Sequence, residues 1–373
     1  MIRLYTHKHN GSFDIVADGL EHAFRAAGAL AGRVDLGKDE DATGGTASHA
    51  VVVGNPFGAQ MVHLRGMHEE TWLLHAPNSE GMPKYIVDHL SSEVYSVRYG
   101  VKKPILTGLF SPSTWGLGVL KKAFPDHPVK LLRHGVLPDF QADEPTRAKV
   151  LEGYGKGEFT VLHATSTGSD RKGTKLLLKA WATFEKMHAN DKGGDKGGDK
   201  GGGKGLQLIV LCNPSVWSVM QDVSAKAGAR QVHFGANHHA SMAHWAKGLG
   251  LVHAVVQPSR AEGFGLIPLE ARACGTPVAA TACTGHAEHM PGHTQPGVVV
   301  VKSGPSMLSD DYPDSKAPTV REEDVLESLV DLYENYPAHH AAAVADAPNI
   351  AREWSWANVV REDLEETKWL DPK

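Results

Sequence analysis

Apolar residues recur in short runs along the chain, and segments with helical spacing lie between these runs. In the first half the runs are Ile2–Tyr5, Ala50–Val53, Thr71–His75, Val94–Arg98, Ile105–Thr107 and Lys130–Arg133. After the first run, apolar residues from Val16 to Ala27 share one helical face, with Ser12 placed to cap the helix start and Gly28 to end it. Strands that alternate with helices predict an α/β domain with a parallel sheet.

A second alternating series follows from Phe159. Its strand-like runs are Phe159–Ala164, Leu206–Leu211, Gln231–Phe234, His253–Gln257, Pro277–Ala280 and Gly297–Val301. Between the first two runs, the segment Lys175–His188 predicts a helix whose apolar stripe is Leu177, Ala180, Trp181, Phe184 and Met187. Two such series predict two doubly wound, Rossmann-like domains.

The expected boundaries follow from the breaks in this pattern. We expect a first domain over 1–157 and a second over 158–345, because residues 140–157 are rich in the prolines and glycines of a hinge. Inside the second domain, residues 190–205 repeat Asp-Lys-Gly-Gly and predict a flexible surface loop. The segment 346–373 carries a last amphipathic helix, which we expect to pack back on the first domain.

Composition narrows the class of protein. The 373 residues are 41% hydrophobic and 22% charged with a net charge of −5, which is typical of a globular protein. This balance excludes a disordered or fibrous chain and a polybasic nucleic-acid coat. The three cysteines include no CxxC pair, the first residues lack the apolar core of a signal peptide, and no run of about 18 apolar residues predicts a membrane span. We therefore expect a cytoplasmic protein.

Two groups of side chains have the chemistry of metal ligands. His286, His289 and His293 have helical spacing, but no carboxylate or cysteine completes a familiar ligand set. Asp39–Asp41 is an acidic triplet in a polar loop, a common feature of protein surfaces. We expect no metal and no other cofactor.

The segment most informative about chemistry is 257–278. An apolar strand ends at Pro258, a glycine-rich loop follows, and Pro268 suits the first turn of a helix. Free backbone N–H groups at a helix N-terminus attract phosphate, and Gly263 and Gly265 permit close approach of a ligand. The arrangement predicts a ligand site at the carboxyl end of a strand.

Charged side chains accompany this loop. Glu262 stands at its entrance, and Glu270 lies about one turn into the helix. Carboxylates accept hydrogen bonds, so beside a phosphate they suit the hydroxyls of a sugar or ribose. Arg171 and Lys172 precede another helix and offer cations for a diphosphate, including the charge that develops as it departs. A nucleotide sugar fits this description.

The chain resembles family 4 retaining glycosyltransferases of the GT-B fold over about residues 155–290. The two glutamates with seven residues between them are the hallmark of that family. Other segments agree in order: the lysine-glycine loop at Arg171–Gly173, the strand end at His233–Gly235, the donor-side loop Gly285–Glu288 and the domain end at His134–Val136. The resemblance implies a GT-B architecture, with two Rossmann-like domains that face a deep cleft.

The resemblance also implies residue roles. Glu262, His75 and Lys172 would be catalytic, with Glu262 and His75 on the transferred sugar. The donor-binding set would be Arg171, Lys172, Gly263, Phe264, Gly265, Leu266 and Glu270, with Glu270 on the ribose. The acceptor-side set would be Asn10, Gly11 and Ser12. Many members carry a Gly-Arg pair just after the strand that ends near Ala164; this chain has Thr165–Gly168 there, and we expect Arg171 to substitute.

The predicted activity is a metal-independent, retaining transfer of a hexosyl group from a UDP- or GDP-type sugar to a hydroxyl of a glycan, a lipid-linked or another acceptor. Residues 98–133 are locally basic and could contact a membrane surface or an anionic acceptor. The alternatives are a nucleotide-sugar 2-epimerase or phosphorylase on the same scaffold, a DNA-base glycosyltransferase, and a binding protein without turnover.

Overall fold

The computed structural model describes residues 1–6, 11–35, 47–53, 68, 70–74, 87–88, 90–91, 93–96, 101–104, 106–165, 170–188, 205–236, 241–308 and 316–365. The chain forms two compact units. One holds Met1–Leu137 together with Glu353–Lys373, and the other holds Pro138–Arg352. The boundary expected after residue 157 falls inside the second unit, because Glu144–Gly155 is a helix of that unit instead of a hinge.

The first unit is built on a parallel sheet. Its strands are β1 (Ile2–Thr6), β2 (Leu30–Asp35), β3 (His49–Val53), β4 (Glu70–Leu74), β5 (Glu93–Ser96), β6 (Val101–Pro104), β7 (Gly108–Ser111) and β8 (Val129–Leu131). Its first helices are α1 (Gly11–Ala26) and α2 (Thr114–Ala123). The sheet order is β2-β1-β3-β4-β7-β8, with parallel pairing throughout, and β5 pairs with β6 as a separate antiparallel ladder.

Three features of this sheet differ from the sequence expectations. The strand β2 was missed because it is a half-exposed edge strand whose Arg33 pairs with Glu21 of α1 at 3.3 Å. In the run Val94–Arg98, the first three residues belong to the antiparallel pair and not to the sheet, and residues 97–98 lie outside the described ranges. The run Ile105–Thr107 precedes the sheet strand, which starts at Gly108, where a Cβ would overlap the ring of Trp72.

The second unit is built on a sheet of the same kind. Its strands are β9 (Phe159–Ala164), β10 (Leu206–Cys212), β11 (Val232–Ala236), β12 (Ala254–Gln257), β13 (Val278–Thr281), β14 (Val298–Val301), β15 (Gly304–Leu308) and β16 (Lys316–Thr319). Its helices are α3 (Glu144–Gly155), α4 (Thr174–His188), α5 (Trp217–Ala227), α6 (Met242–Leu251), α7 (Leu266–Ala273), α8 (Glu322–Glu334) and α9 (Tyr336–Glu353).

The strands of the second sheet are in the order β11-β10-β9-β12-β13-β14, and all of them are parallel. From β9 the chain adds β10 and β11 on one side, and it then returns to add β12, β13 and β14 on the other side, so the strand order reverses between β9 and β12. Open α/β sheets bind ligands at the carboxyl ends of the two strands that flank such a reversal in strand order. The fold confirms the predicted α/β class with two doubly wound sheets, and it puts the loops after β9 and β12 at one place.

The core of the second unit lies between its sheet and α4. Leu177, Trp181 and Phe184 are fully buried on the predicted stripe, and Phe159 packs against Phe184 with ring centroids 6.2 Å apart. Met187 was expected on the same stripe, but it is 53% exposed in the last turn of the helix. The insert 190–205 lies outside the described residues except for Gly205.

The last helix, α10 (Trp356–Leu364), belongs to the first unit and packs against α1. A bridge joins it to the chain after β8, because Val136 N–H donates to the Trp354 carbonyl at 2.7 Å. The Trp356 ring is buried where a Cβ on Gly19 of α1 would stand, so the helix contact depends on that glycine.

Candidate active site

The loops after β9 and β12 are joined by their backbones. Asp170–Lys172 forms a short 3₁₀ turn after β9, and the Arg260 N–H donates to the Arg171 carbonyl at 2.7 Å. Gly173 has a φ of +69°, and a Cβ there would overlap the Pro258 carbonyl oxygen. Only glycine therefore lets the two loops approach this closely.

Glu262 and the two predicted cations come together at this junction. Lys172 Nζ lies 2.5 Å from Glu262 Oε1, and Arg171 Nη1 lies 3.1 Å from Oε2. Arg171 also donates to the Ala261 carbonyl at 2.7 Å. The Glu262 residue is 7% exposed, so the group is nearly enclosed by protein. The two loop cations therefore lie at the glutamate end of the glycine loop.

The electrostatics of Glu262 favour the ionised form. Burial alone would raise its pKa, but the adjacent charges of Lys172 and Arg171 outweigh burial and hold the pKa of this carboxyl well below its usual range. Two cations and one carboxylate leave the cluster with one net positive charge. The expected repulsion between Glu262 and a phosphate is therefore reduced by the same side chains that would bind the phosphate.

The loop 281–289 forms a wall behind the glycine segment. The Glu262 N–H donates to the Thr284 hydroxyl at 2.9 Å, and the Gly285 N–H donates to the Glu262 carbonyl at 2.8 Å. Thr284 has a φ of 51°. A β-branched residue in the left-handed region costs about 1–3 kcal/mol, and such strain clusters at functional sites. A Cβ on Gly285 would overlap Gly263, so the wall and the loop are in backbone contact.

Two histidines stiffen this wall. His286 lies over Gly265, and its Nδ1 is 3.1 Å from the Thr281 carbonyl. His289 Nε2 is 2.9 Å from the Gly265 carbonyl, and its ring packs on Phe264 with centroids 5.0 Å apart. Burial lowers the pKa of His286 to about 4, so the ring is neutral at pH 7. Through these contacts both rings support the backbone of the glycine loop. Across the described ranges, no three potential ligand side chains are grouped closely enough to hold a metal.

The helix α7 starts at the end of the glycine loop. Gly265 precedes it with a φ of +85°, and Leu266 is its first residue. The N–H groups of a first helical turn lack intrahelical partners, and the helix dipole adds positive potential there. Pro268 lies in this turn, as predicted. The predicted backbone donors Gly263, Phe264, Gly265 and Leu266 thus run directly from Glu262 into a helix N-terminus.

Glu270 has a different environment from Glu262. It lies on α7, is 2% exposed, and accepts a hydrogen bond from Trp245 Nε1 to its Oε2 at 2.8 Å. Burial raises the pKa of Glu270 to about 7, although the indole bond opposes this. The carboxylate is buried against an indole because α6 packs on α7 here.

The first unit places fewer of the predicted residues. His75 and Asn10 lie outside the described residues. Gly11 and Ser12 were expected in a loop, with Ser12 as the helix cap. The helix α1 instead begins at Gly11, so both residues belong to its first turn. The basic stretch 98–133 is partly neutralised: Arg133 is paired with Asp363 of α10 at 2.7 Å.

Sequence reasoning missed Trp245 and Thr284. Trp245 lies 25 residues before Glu270, and only the packing of α6 on α7 brings the two together. No sequence pattern marks Thr284, because its hydrogen bond with the Glu262 N–H depends on an unusual backbone angle. The Gly285–Glu288 segment, which the family resemblance puts near the donor, directly follows Thr284 and bonds to Glu262 through the Gly285 N–H.

The sequence profile of one family matches residues 118–362, which is more than half of the chain and includes the whole cluster described above; its description is Family 4 Glycosyltransferase in conflict systems. The chain belongs to this family. The predicted family resemblance is thereby confirmed. Among curated proteins, a D-inositol 3-phosphate glycosyltransferase from Frankia alni is 54% identical over 44 residues. That match covers 12% of this chain and 10% of the relative, so the chain spans about a tenth of the relative's length.

Solved structures resemble this glycosyltransferase over nearly its full length. Anabaena HepE in complex with UDP-glucose has a TM-score of 0.64 at 12% identity and covers 99% of both chains. Sucrose-phosphate synthase from Thermosynechococcus elongatus has a TM-score of 0.63 at 15% identity, over 99% of this chain and 98% of that one. WaaG, a glycosyltransferase of lipopolysaccharide biosynthesis, has a TM-score of 0.61 at 13% identity over 100% of each chain. At these identities the likeness shows the fold, which is GT-B. Within the described ranges, every helix is too short or too polar to span a bilayer.

Proposed function

We propose that the protein transfers a hexosyl group from a UDP- or GDP-type sugar to a hydroxyl acceptor, with retention of configuration and without a metal ion. The observation that carries this proposal is the cluster of Lys172, Arg171 and Glu262 at the entrance to α7. It combines cations for a diphosphate, helix N–H groups for the same diphosphate, and an ionised acceptor for sugar hydroxyls.

The diphosphate is the group best matched to the cations. A helix terminus contributes about 0.3–1 kcal/mol per charge, whereas a hydrogen bond between charged groups contributes about 1.5–3 kcal/mol. Lys172 and Arg171 therefore supply most of the affinity. The same two charges stabilise the negative charge that grows on the departing nucleoside diphosphate, which is the part a divalent metal plays in other transferases. This is the physical basis for proposing a metal-independent reaction.

Glu262 is proposed to bind the sugar. Because its carboxyl is ionised at neutral pH, it accepts hydrogen bonds from sugar hydroxyls and does not serve as a proton donor. A sugar hydroxyl bound to Glu262 would share the carboxylate with Lys172. The anomeric carbon of that sugar would then lie beside the cations proposed for the diphosphate. The family resemblance favours departure of the diphosphate on the face that the acceptor enters, which gives retention.

The remaining roles follow the family pattern. Glu270 is proposed on the ribose, His75 on the transferred sugar, and residues 10–12 on the acceptor side. The acceptor is proposed to be a hydroxyl of a glycan or a lipid-linked or other molecule, with residues 98–133 as a candidate contact for an anionic one. The three cysteines are free, which favours the cytoplasm.

Donor turnover with paired variants tests the proposal. Lys172→Ala should reduce transfer or donor hydrolysis by about 10- to 150-fold, the loss expected for one charged hydrogen bond. Glu262→Gln, which keeps the shape of the side chain, should also be impaired. Lys156→Ala and Glu152→Gln are matched controls, because these residues form an exposed pair 2.6 Å apart at the end of α3. Wild-type rates in both site variants would refute the proposal.

The choice of substrates separates the alternatives. UDP-glucose is the first donor to try, because HepE binds it, followed by GDP-mannose. Incubation without acceptor should give slow hydrolysis; formation of an epimerised sugar would instead indicate a 2-epimerase. Tight nucleotide binding with no turnover across glycan, lipid-linked and DNA acceptors would indicate a binding protein.

A further inference from the structure

Trp245 and Glu270 form a buried hydrogen bond between two packed helices. The indole Nε1 of Trp245 on α6 donates to Oε2 of Glu270 on α7 at 2.8 Å, and both residues are buried. The indole N–H is a donor only, so Oε2 always acts as an acceptor in this contact. One carboxylate oxygen is thus committed, and the rotamer of Glu270 is fixed by a rigid aromatic partner.

Among the residues that the structure describes, no lysine or arginine is paired with Glu270 as Lys172 and Arg171 are with Glu262. α7 packs on α6, β12 and β13. The strands β12 and β13 carry no ionisable side chain, and those of α6, His244 and Lys247, are exposed. The nearby titratable group is the Cys274 thiol, whose pKa is raised by burial. A buried carboxylate in such a place is costly to ionise unless hydrogen-bond donors compensate it.

We propose that Trp245 is a positioning residue for the donor nucleotide: it holds one oxygen of Glu270 so that the other oxygen accepts from a ribose hydroxyl. The inference rests on the proposed function, in which Glu270 takes the ribose. The indole supplies one of the donors that the buried carboxylate needs, and the ribose supplies the other. Without the indole N–H, the carboxyl would be held less firmly and would take up a proton more readily.

A pH dependence follows from this arrangement. Ionised Glu270 accepts a stronger hydrogen bond from a hydroxyl than its protonated form does. Nucleotide affinity should therefore rise as pH increases through the pKa of Glu270, which burial places at about 7. Loss of the indole donor raises this pKa further, and the rise in affinity then moves to higher pH.

Trp245→Phe tests the inference, because it keeps a packed ring and removes only the N–H. UDP, or GDP if it binds more tightly to the wild type, is titrated calorimetrically from pH 6 to 9, along with its 2′,3′-dideoxy analogue. We expect about tenfold weaker binding of the ribonucleotide at pH 7, an upward shift of the pH midpoint, and no change for the dideoxy analogue. Trp217→Phe is the control, since Trp217 donates to the Cys212 carbonyl at 3.3 Å away from the site.

Two further measurements separate the outcomes. Titration of the Glu270 carboxyl by ¹³C NMR without nucleotide should show a higher pKa in Trp245→Phe, and an unchanged titration overturns the inference alone. If the wild type binds neither UDP nor GDP, the proposed function fails and the ribose role of Trp245 falls with it. Should Trp245→Phe not fold, Glu270→Gln serves instead: it must abolish the difference in pH dependence between the ribonucleotide and its dideoxy analogue, since both carry the same titrating phosphates, and a retained difference overturns the inference.

Discussion

Gly173→Ala probes how closely the two donor loops must approach. This glycine follows Lys172, has a φ of +69°, and occupies a position where a Cβ would overlap the carbonyl oxygen of Pro258. Alanine therefore brings two costs. The left-handed conformation costs about 1–2 kcal/mol for a residue with a Cβ, and a forced overlap with backbone costs about 1–3 kcal/mol more. The sum is about 2–5 kcal/mol of lost stability in the second unit.

Gly228→Ala is a closely matched control. Gly228 ends α5 with a φ of +80°, but the nearest atom to its added Cβ is Lys186 Nζ at 4.0 Å. This variant meets the conformational cost alone, about 1–2 kcal/mol. The difference between the two variants isolates the effect of separating the loops that carry Lys172 and Pro258.

Thermal unfolding and nucleotide titration of both variants are the assays. Gly173→Ala should have the lower midpoint of unfolding and should bind nucleoside diphosphate at least about tenfold more weakly, because displaced loops pull Lys172 away from Glu262. Gly228→Ala should keep wild-type nucleotide affinity. Equal losses of stability in the two variants, or unchanged nucleotide affinity in Gly173→Ala, would refute the reasoning.

Three other predictions concern packing and titration. Gly19→Ala should destabilise the first unit by about 1–3 kcal/mol through overlap with Trp356, whereas Gly118→Ala, in an open and exposed helical position, should stabilise it by about 0.5–1 kcal/mol. Arg147→Met should lower the unfolding midpoint, since the buried guanidinium donates to the Gly250 and Val252 carbonyls at 2.9 and 2.8 Å and both would lose a partner. The folded pKa of Glu270 is raised from 4.5 to about 7, so the stability linked to its proton is present at pH 4.5 and is lost as pH rises through 7; Glu270→Gln should therefore raise the unfolding midpoint more at pH 8 than at pH 5.

Chemical or thermal unfolding of the variants can contradict each of these predictions. A neutral Gly19→Ala would mean that the Trp356 ring can move without loss. A wild-type midpoint for Arg147→Met would mean that water replaces the guanidinium. A Glu270→Gln effect that is equal at both pH values would mean that the carboxyl titrates alike in the folded and unfolded chain.

The sequence predicts the second unit better than the first. Its strands are nearly continuous apolar runs, such as Phe159–Ala164, because they are buried on both faces of the sheet. The edge strand β2 carries Gly32 and Arg33 among its residues and is half exposed, so no hydrophobic pattern marks it. The start of β7 at Gly108 depends on the ring of Trp72 across the sheet, which local sequence does not encode.

The features of the candidate site also differ in how far the sequence pattern predicts them. Glu262, Lys172 and the glycine loop could be found because each lies between a strand and a helix whose patterns are visible in the sequence. Their ion pairing could not, because it depends on the order of β9 and β12 in the sheet. The contact between Trp245 and Glu270 depends on the packing of two helices, and Thr284 depends on a strained backbone angle.

The most direct test of the central claim is a crystal structure of the protein soaked in saturating UDP or GDP. The account predicts that the diphosphate lies within hydrogen-bond distance of Lys172 Nζ and of the N–H groups where residues 263–266 enter α7, with the ribose at Glu270. A nucleotide bound elsewhere, or a cluster of Lys172 and Glu262 that remains without ligand at saturation, would contradict it.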